Sequence, residues 1–530
     1  MARVSATSRP VAGEAGPTGC RPNVVVVLAD DMGWGDLGCY GATKIPTPAM
    51  DRLAAEGVRA TDCHSASAVC TPSRYALLTG RYAWRGPLKR GVLWGHSPAI
   101  IEADRPTLAS VLHEAGYATG AFGKWHLGLG WHFRDDRVLD AFEPGTPLVA
   151  MAEVDDGSNV DYAAGFAGGP TTLGFERFFG MTGSLDMPPY CFLDQDHTLG
   201  IPDRPKARYL PAQGQGLQVA DWDEEAVDAR FIEEACSWIR GQAAADRPFF
   251  CYVALSAPHQ PCVPPNFARG SSKAGARGDM VCVVDWAVEK VVKLLDELDL
   301  AAETLVIVTS DNGARMAEVD GGTHGHRANG DWRGQKADIW EGGHREPFVA
   351  RWPGRIPPGS VTDEMFGLVD MMATIVTATS VEVPLRAAED SVNMLGVLTG
   401  GLGRSRGRPL VHHSFDGTFS IRDNCWKLVM GSGSGGFSKP FGRHCDDIFV
   451  EGQLYNLSED PAETRNVWSE QPEVVDRLYA ELKALARGPA SGLSFDVVRV
   501  GGGTVRLPSG LVTRVGQCGS SSTLRGRPTE

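Results

Sequence analysis

The chain has 530 residues, more than one hydrophobic core usually holds, so one large domain with a smaller one is expected. With 42% hydrophobic and 22% charged residues and a formal net charge of −14, its composition is that of a soluble globular protein without the basic footprint that nucleic acid or an anionic membrane surface requires. No apolar run approaches the roughly 18–20 residues of a membrane helix, and residues 1–22 lack the apolar stretch of a secretory signal, so a cytoplasmic location is expected.

In chain order, "NVVVVLAD" (23–30) is a continuous apolar run, the pattern of a strand buried on both faces of a parallel sheet. "TPAMDRLAAEG" (47–57) and "PTLASVLHEAG" (106–116) read as helices closed by Gly57 and Gly116. A helix is expected to begin at Thr71 or Pro72 in "VCTPSRYALLTGR", because proline loses nothing at a first helical position. Next come a strand at 117–123, a helix at 223–241, a strand at 247–255, a helix at 278–299 and a strand at 304–310, followed by a further apolar strand after "DWRGQKADIWEGGHREPF" (331–348). This alternation predicts an α/β fold: a large, mainly parallel sheet with helices on both faces, whose ligands bind beyond the carboxyl ends of the strands.

Beyond residue 390 short strands ("PLVHHSF", "TFSIRD", "CWKLVM", "GQLYNL") and the amphipathic helix "PEVVDRLYAELKAL" (472–485) predict a small antiparallel sheet with a terminal helix. The expected division is a tail over 1–22, a catalytic domain over 23–389, a subdomain over 390–488 and a disordered Gly/Ser-rich tail over 489–530.

The strand ends carry the chemistry. The first ends in Asp30-Asp31 and the one at 304–310 in Asp311-Asn312; either pair alone reads as solvated loop, but together they offer hard oxygen donors suited to Ca²⁺ or Mg²⁺. The twelve cysteines form no C-x-x-C pair, which argues against a metal-thiolate site. Cys70 sits at a helix start, where negative charge is favoured, with Arg74 one turn on along the same face. Lys124 and His126 follow the strand at 117–123, two residues apart in what reads as extended chain, so their side chains face the same way. His259 follows the strand at 247–255, and Lys336 lies in a third polar cluster at the same sheet edge.

These residues, with the C-x-P-S-R sequence at 70–74, "LADDMGWGDLGCYG", "GKWHLG", "SDNGA" and "RGQKADIWEGGHREP", resemble the formylglycine-dependent sulfatases of the alkaline phosphatase superfamily, the carbohydrate sulfatases most closely, over about residues 23–488. The resemblance implies an alkaline phosphatase-like fold, sulfate-ester hydrolysis, and oxidation of Cys70 to formylglycine by a formylglycine-generating enzyme. It further implies a calcium ion held by Asp30, Asp31, Asp311 and Asn312 and touching residue 70. Arg74 would orient the hydrated aldehyde, Lys124 and Lys336 would bind sulfate oxygens, and His126 and His259 would share the base and acid roles. Asp186, His324, His326, Arg327 and Asn329 are candidate sugar contacts. Relatives in this family are often exported or lysosomal. The alternatives are a phosphonate or phosphate ester hydrolase of the same superfamily, or a non-catalytic anion-binding protein in which Cys70 is never converted.

Overall fold

The computed structural model describes residues 21–135, 156–209, 213–316, 324–384, 386–401, 408–441 and 452–486. Apart from Arg21 and Pro22, the expected tails at 1–22 and 489–530 lie outside the described residues.

An eleven-stranded sheet organises the large part of the chain. Its strands are β1 (Asn23–Ala29), β2 (Val58–His64), β3 (Ala118–Lys124), β4 (Arg177–Met181), β5 (Leu193–Asp194), β6 (His197–Thr198), β7 (Phe249–Ala254), β8 (Thr304–Ser310), β9 (Arg345–Arg351), β10 (Ser360–Thr362) and β11 (Phe366–Gly367). The spatial order is β10-β2-β9-β8-β1-β7-β3-β4-β5-β6, with β11 also on β2. The five central strands, β8, β1, β7, β3 and β4, are parallel; β9 runs antiparallel to both β8 and β2. All seven residues of β1 are buried, as a strand covered on both faces requires. Each fully buried Val or Leu there contributes about 1.5–3 kcal/mol of transfer free energy.

Two separate cores lie on the two faces of the sheet, because alternate β1 residues point opposite ways: Val24, Val26 and Leu28 into one, Val25 and Val27 into the other. Helices α1 (Pro48–Ala55), α4 (Val227–Ala244) and α5 (Gly275–Glu297) bury their apolar stripes in the second core, while α2 (Cys70–Thr79), α3 (Leu108–Glu114) and α6 (Met371–Ala378) pack in the first. The expected α/β architecture with a mainly parallel sheet is therefore present. Strands β2 and β4 were not foreseen: "VRATDCH" is too polar, and "RFFGM" too short and glycine-bearing, to stand out as apolar runs.

The small sheet is an antiparallel meander of β12 (Leu410–His413), β13 (Phe419–Asp423), β14 (Trp426–Val429) and β15 (Gln453–Asn456), against which α7 (Pro472–Ala486) packs through Val475, Leu478 and Leu482. It is joined to the large sheet by buried charge. Arg422 of β13 donates to Asp62 at 2.6 and 2.9 Å and to Glu341 at 3.1 Å, and Lys427 of β14 reaches Glu341 at 3.2 Å and Glu463 at 3.0 Å. Beside them His64 and His344 share a 3.0 Å Nδ1–Nδ1 contact, and His412 stacks on His344 with 3.9 Å between ring centres.

Candidate active site

The residues singled out in the sequence converge beyond the carboxyl ends of β1, β3, β7 and β8. Helix α2 begins at Cys70 itself, after the extended Val69, one or two residues earlier than the position of Pro72 implied. Its ten residues are all buried, so the helix start points into the protein rather than into solvent.

Four oxygen donors lie together there. Asp31, with φ of 67°, turns the chain at the end of β1 so that its N–H donates to Asp311 Oδ1 at 3.2 Å. Asn312 Nδ2 donates to Asp31 Oδ1 at 2.7 Å, which leaves Asn312 Oδ1 free. Among the described residues, Asp30 Oδ1 and Asn312 Oδ1 are both buried without a hydrogen-bond donor. Single donor atoms of Asp30, Cys70 and Asp311 lie within 4.8 Å of one another, as do those of Asp30, Asp31 and His259.

Cations surround the oxygens. Lys124, the last residue of β3, donates to Asp30 Oδ2 at 2.6 Å, and Lys336 contacts the two Asp31 oxygens at 2.7 and 2.8 Å. Arg74 donates to Asp311 Oδ2 through Nε at 2.9 Å and Nη2 at 2.7 Å, and to the Lys124 carbonyl at 3.1 Å. Ser184 adds a 3.0 Å hydrogen bond to Asp30 Oδ2. Burial pushes carboxyls upward, but at Asp30 this is overcome by Lys124, His259, Arg74 and Lys336, and at Asp31 by Lys336 and His259, so both are held below the usual range. Asp311 goes the other way: burial, aided by Asp30 and Asp31, outweighs Arg74 and raises it to about 6. Burial likewise raises the Cys70 thiol to about 11 despite Lys124 and Lys336. As an unmodified thiol, residue 70 is therefore a poor nucleophile at neutral pH.

The two histidines differ. His126 does not continue the β3 extension: its φ of 55° ends the strand, so the expectation that it and Lys124 face the same way from an extended segment is corrected. Its Nε2 donates to the Leu93 carbonyl at 2.7 Å and its buried Nδ1 has no hydrogen-bond partner among the described residues. Burial, then Lys124 and Arg74, holds this imidazole well below its usual value and hence neutral. His259 donates through Nδ1 to the Gln260 carbonyl at 2.6 Å, and its Nε2 stands 3.7 Å from Asp31 Oδ2.

The sugar-contact candidates divide. Asp186 lies 3.9 Å from His259 Nδ1, and its buried Oδ1 has no hydrogen bond among the described residues. His326 instead bonds Asp36 at 2.8 Å, beside Arg277, which also donates to the Asp31 carbonyl at 2.9 Å. Arg327 is 69% exposed and paired with Asp331, while the His324 carbonyl accepts from Lys44. Asn329 accepts from Ala314 N–H at 2.8 Å and donates to the Ala314 carbonyl at 3.0 Å, tying down the loop after Asp311. Sequence reasoning missed the apolar wall beside Cys70, formed by Val92, Met187, Ala337 and the partly buried Trp94 and Phe415. No local pattern marks these residues, and Phe415 arrives from the small sheet, over three hundred positions along the chain.

The family model described as Sulfatase matches residues 22–381. The chain belongs to the sulfatase family. N-acetylgalactosamine-6-O-sulfatase of Bacteroides thetaiotaomicron is 32% identical over 534 residues, covering 92% of this sulfatase and 97% of the relative. Human arylsulfatase A is 32% identical over 481 residues, covering 86% of each chain. Among solved structures, a Bacteroides thetaiotaomicron protein described under metabolism of multiple glycosaminoglycans superimposes with a TM-score of 0.75 at 30% identity, covering 88% of this chain and 99% of that one. A phosphonate monoester hydrolase of Agrobacterium radiobacter (TM-score 0.54, 20% identity, 88% and 95% coverage) shares the fold. This sulfatase is thus a sulfuric ester hydrolase with an alkaline phosphatase-like architecture.

Proposed function

We propose that this sulfatase releases inorganic sulfate from a sulfated carbohydrate, with Cys70 converted to formylglycine and a divalent cation, Ca²⁺ in preference to Mg²⁺, as its cofactor. The observation that carries the reading is the convergence on one buried helix start of Cys70, four oxygen donors, Arg74, Lys124, Lys336, His126 and His259. The names of the relatives support a sugar as the substrate class.

The residues fit the cation. Asp30, Asp31, Asp311 and Asn312 supply only hard oxygen atoms, two of which are buried without a donor among the described residues, and Asp311 is pushed up by burial, aided by Asp30 and Asp31, a stress that positive charge relieves. When bound, the ion supplies charge that stabilises sulfate oxygens and lowers the pKa of the nucleophile. Formylglycine at residue 70 would supply a hydrated aldehyde as the nucleophile in place of the thiol. Lys124, at the end of β3, and Lys336, in the loop before β9, bring two ammonium groups toward the sulfate, which orients the ester and offsets the −14 net charge locally. Arg74 holds residue 70 in register with Asp311. His126, neutral and with Nδ1 free, takes a proton from residue 70, and His259 gives one to the departing alcohol. Asp186 accepts a sugar hydroxyl; the partners of His326 and Arg327 give no support to contacts from those two. We also assign residues 23–389 to a catalytic domain and 390–488 to a subdomain that contributes Phe415 to the apolar wall beside Cys70.

The test compares kcat/KM of the converted protein on sulfated monosaccharides and on phenyl phosphonate. A larger value for a sulfated sugar supports the proposal; a larger value for the phosphonate assigns the protein to the phosphonate hydrolase alternative.

A further inference from the structure

Resting on the sulfatase reading, we propose that Thr71 is a positioning residue that fixes the tautomer of His126. Thr71 is fully buried on the first turn of α2, immediately after residue 70. Its Oγ1 accepts the Leu93 N–H at 3.1 Å, and the carbonyl of the same Leu93 accepts His126 Nε2–H at 2.7 Å. A carbonyl oxygen cannot donate, so the ring proton of the neutral imidazole resides on Nε2 and the lone pair on Nδ1. That Nδ1 is buried and has no hydrogen-bond partner among the described residues.

The residue next to the nucleophile and the base are thereby clamped to the two ends of one residue, Leu93, whose side chain is itself fully buried. Rotation of the imidazole is opposed by the Leu93 carbonyl, and displacement of Leu93 is opposed by the Thr71 hydroxyl. In the proton transfer, an O–H bond of the converted and hydrated residue 70 would break, an Nδ1–H bond would form on His126, and the imidazolium would retain its Nε2–H on the Leu93 carbonyl. The reverse transfer restores the neutral ring with the same tautomer.

Two readouts test this with Thr71→Val, which keeps the shape but removes the acceptor, and Thr71→Ser, which keeps it. First, ¹⁵N-histidine spectra of the full chain carrying Cys70→Ala, with His126 assigned by its loss in His126→Gln, report the tautomer without any turnover. A single Nε2–H form is expected with the native Thr71 and with Thr71→Ser, and a mixture of both tautomers with Thr71→Val. Second, turnover of a sulfate ester is normalised to the fraction of residue 70 converted, measured by mass spectrometry, because the change lies inside the maturation sequence. Thr71→Val should lower kcat about tenfold or more with KM within about twofold, and Thr71→Ser should retain kcat within about threefold. An unchanged tautomer and wild-type kcat per converted molecule in Thr71→Val would overturn the proposal while the sulfatase reading stands. Equal loss in both variants, with a parallel fall in Tm, would assign Thr71 a packing role only and overturn it too. A converted wild-type protein that hydrolyses no sulfate ester would overturn the functional reading itself.

Discussion

Arg74 and Asp311 show what a single position does in this site. Both side chains are fully buried, and each is the other's main counter-charge. Asp311→Ala therefore strands a guanidinium whose remaining carboxylate, Asp30, stands 3.7 Å away. The expected cost is about 3–5 kcal/mol, read from denaturant unfolding, together with loss of the calcium heat in titration calorimetry. Unimpaired calcium binding in a folded Asp311→Ala protein would remove Asp311 from the metal set. Cys70→Ala deletes one sulfur from a close-packed helix start without exposing a charge, so Tm should stay within about 3 °C while turnover disappears. At this scale the sequence was informative wherever chemistry demands a residue type: Asp30, Asp31, Asp311, Asn312, Lys124 and Lys336 all reach the same place. It was silent where shape alone decides. Nothing in "VLWGH" marks Trp94 as part of the apolar wall beside Cys70, and nothing in "GKWHLG" reveals that His126, two residues past the strand end, has a positive φ.

At the scale of elements, the site depends on strand ends held in register. Lys124 can reach Asp30 because β7 lies between β3 and β1, pairing Ala254 with Gly123 on one side and with Leu28 on the other. Gly123 has φ of 117°, and a Cβ added there would lie 1.8 Å from the Ala254 carbonyl oxygen. Gly123→Ala should therefore cost more than about 2 kcal/mol and weaken sulfate-ester turnover as Lys124 shifts, both readable from one purified variant by thermal unfolding and initial rates. A variant with unchanged Tm would show that the strand end is more pliant than its packing implies. The apolar runs that became β1, β7 and β8 were legible because burial on both faces leaves an unmistakable hydrophobic stretch. The antiparallel course of β9 was not, since a strand's direction depends on its connection and not on its residues.

At the scale of the whole molecule, the eleven-stranded sheet and the four-stranded sheet are joined by buried charge and imidazole. Asp62, Glu341 and Glu463 are matched by Arg345, Arg422 and Lys427, with His64, His344 and His412 packed among them. Their pairing was invisible in the sequence, because residues 62 and 341 meet only through the pairing of β9 with β2, and residue 422 joins them only when the small sheet docks. Burial, then His64 and Lys427, holds His412 well below its usual value. A histidine depressed in the folded state binds protons preferentially when unfolded, so its contribution to stability is complete above pH 6.5 or so and is lost as pH falls below it. Replacing it with an uncharged ring should remove that loss. Between about pH 7.5 and pH 5, His412→Phe should gain about 2 kcal/mol relative to wild type, measured as the difference in unfolding free energies at the two values. A pH-independent difference would mean that His412 is not held neutral in this interface.

The central claim is that residue 70 works as formylglycine and not as a cysteine whose thiol burial has pushed up to about 11. The most direct measurement titrates conversion: the protein is produced with graded amounts of formylglycine-generating enzyme, the converted fraction of residue 70 is read by peptide mass spectrometry, and each sample is assayed for sulfate release. Release should rise in proportion to the converted fraction and extrapolate to zero with unconverted Cys70. Turnover that is independent of conversion would contradict the account.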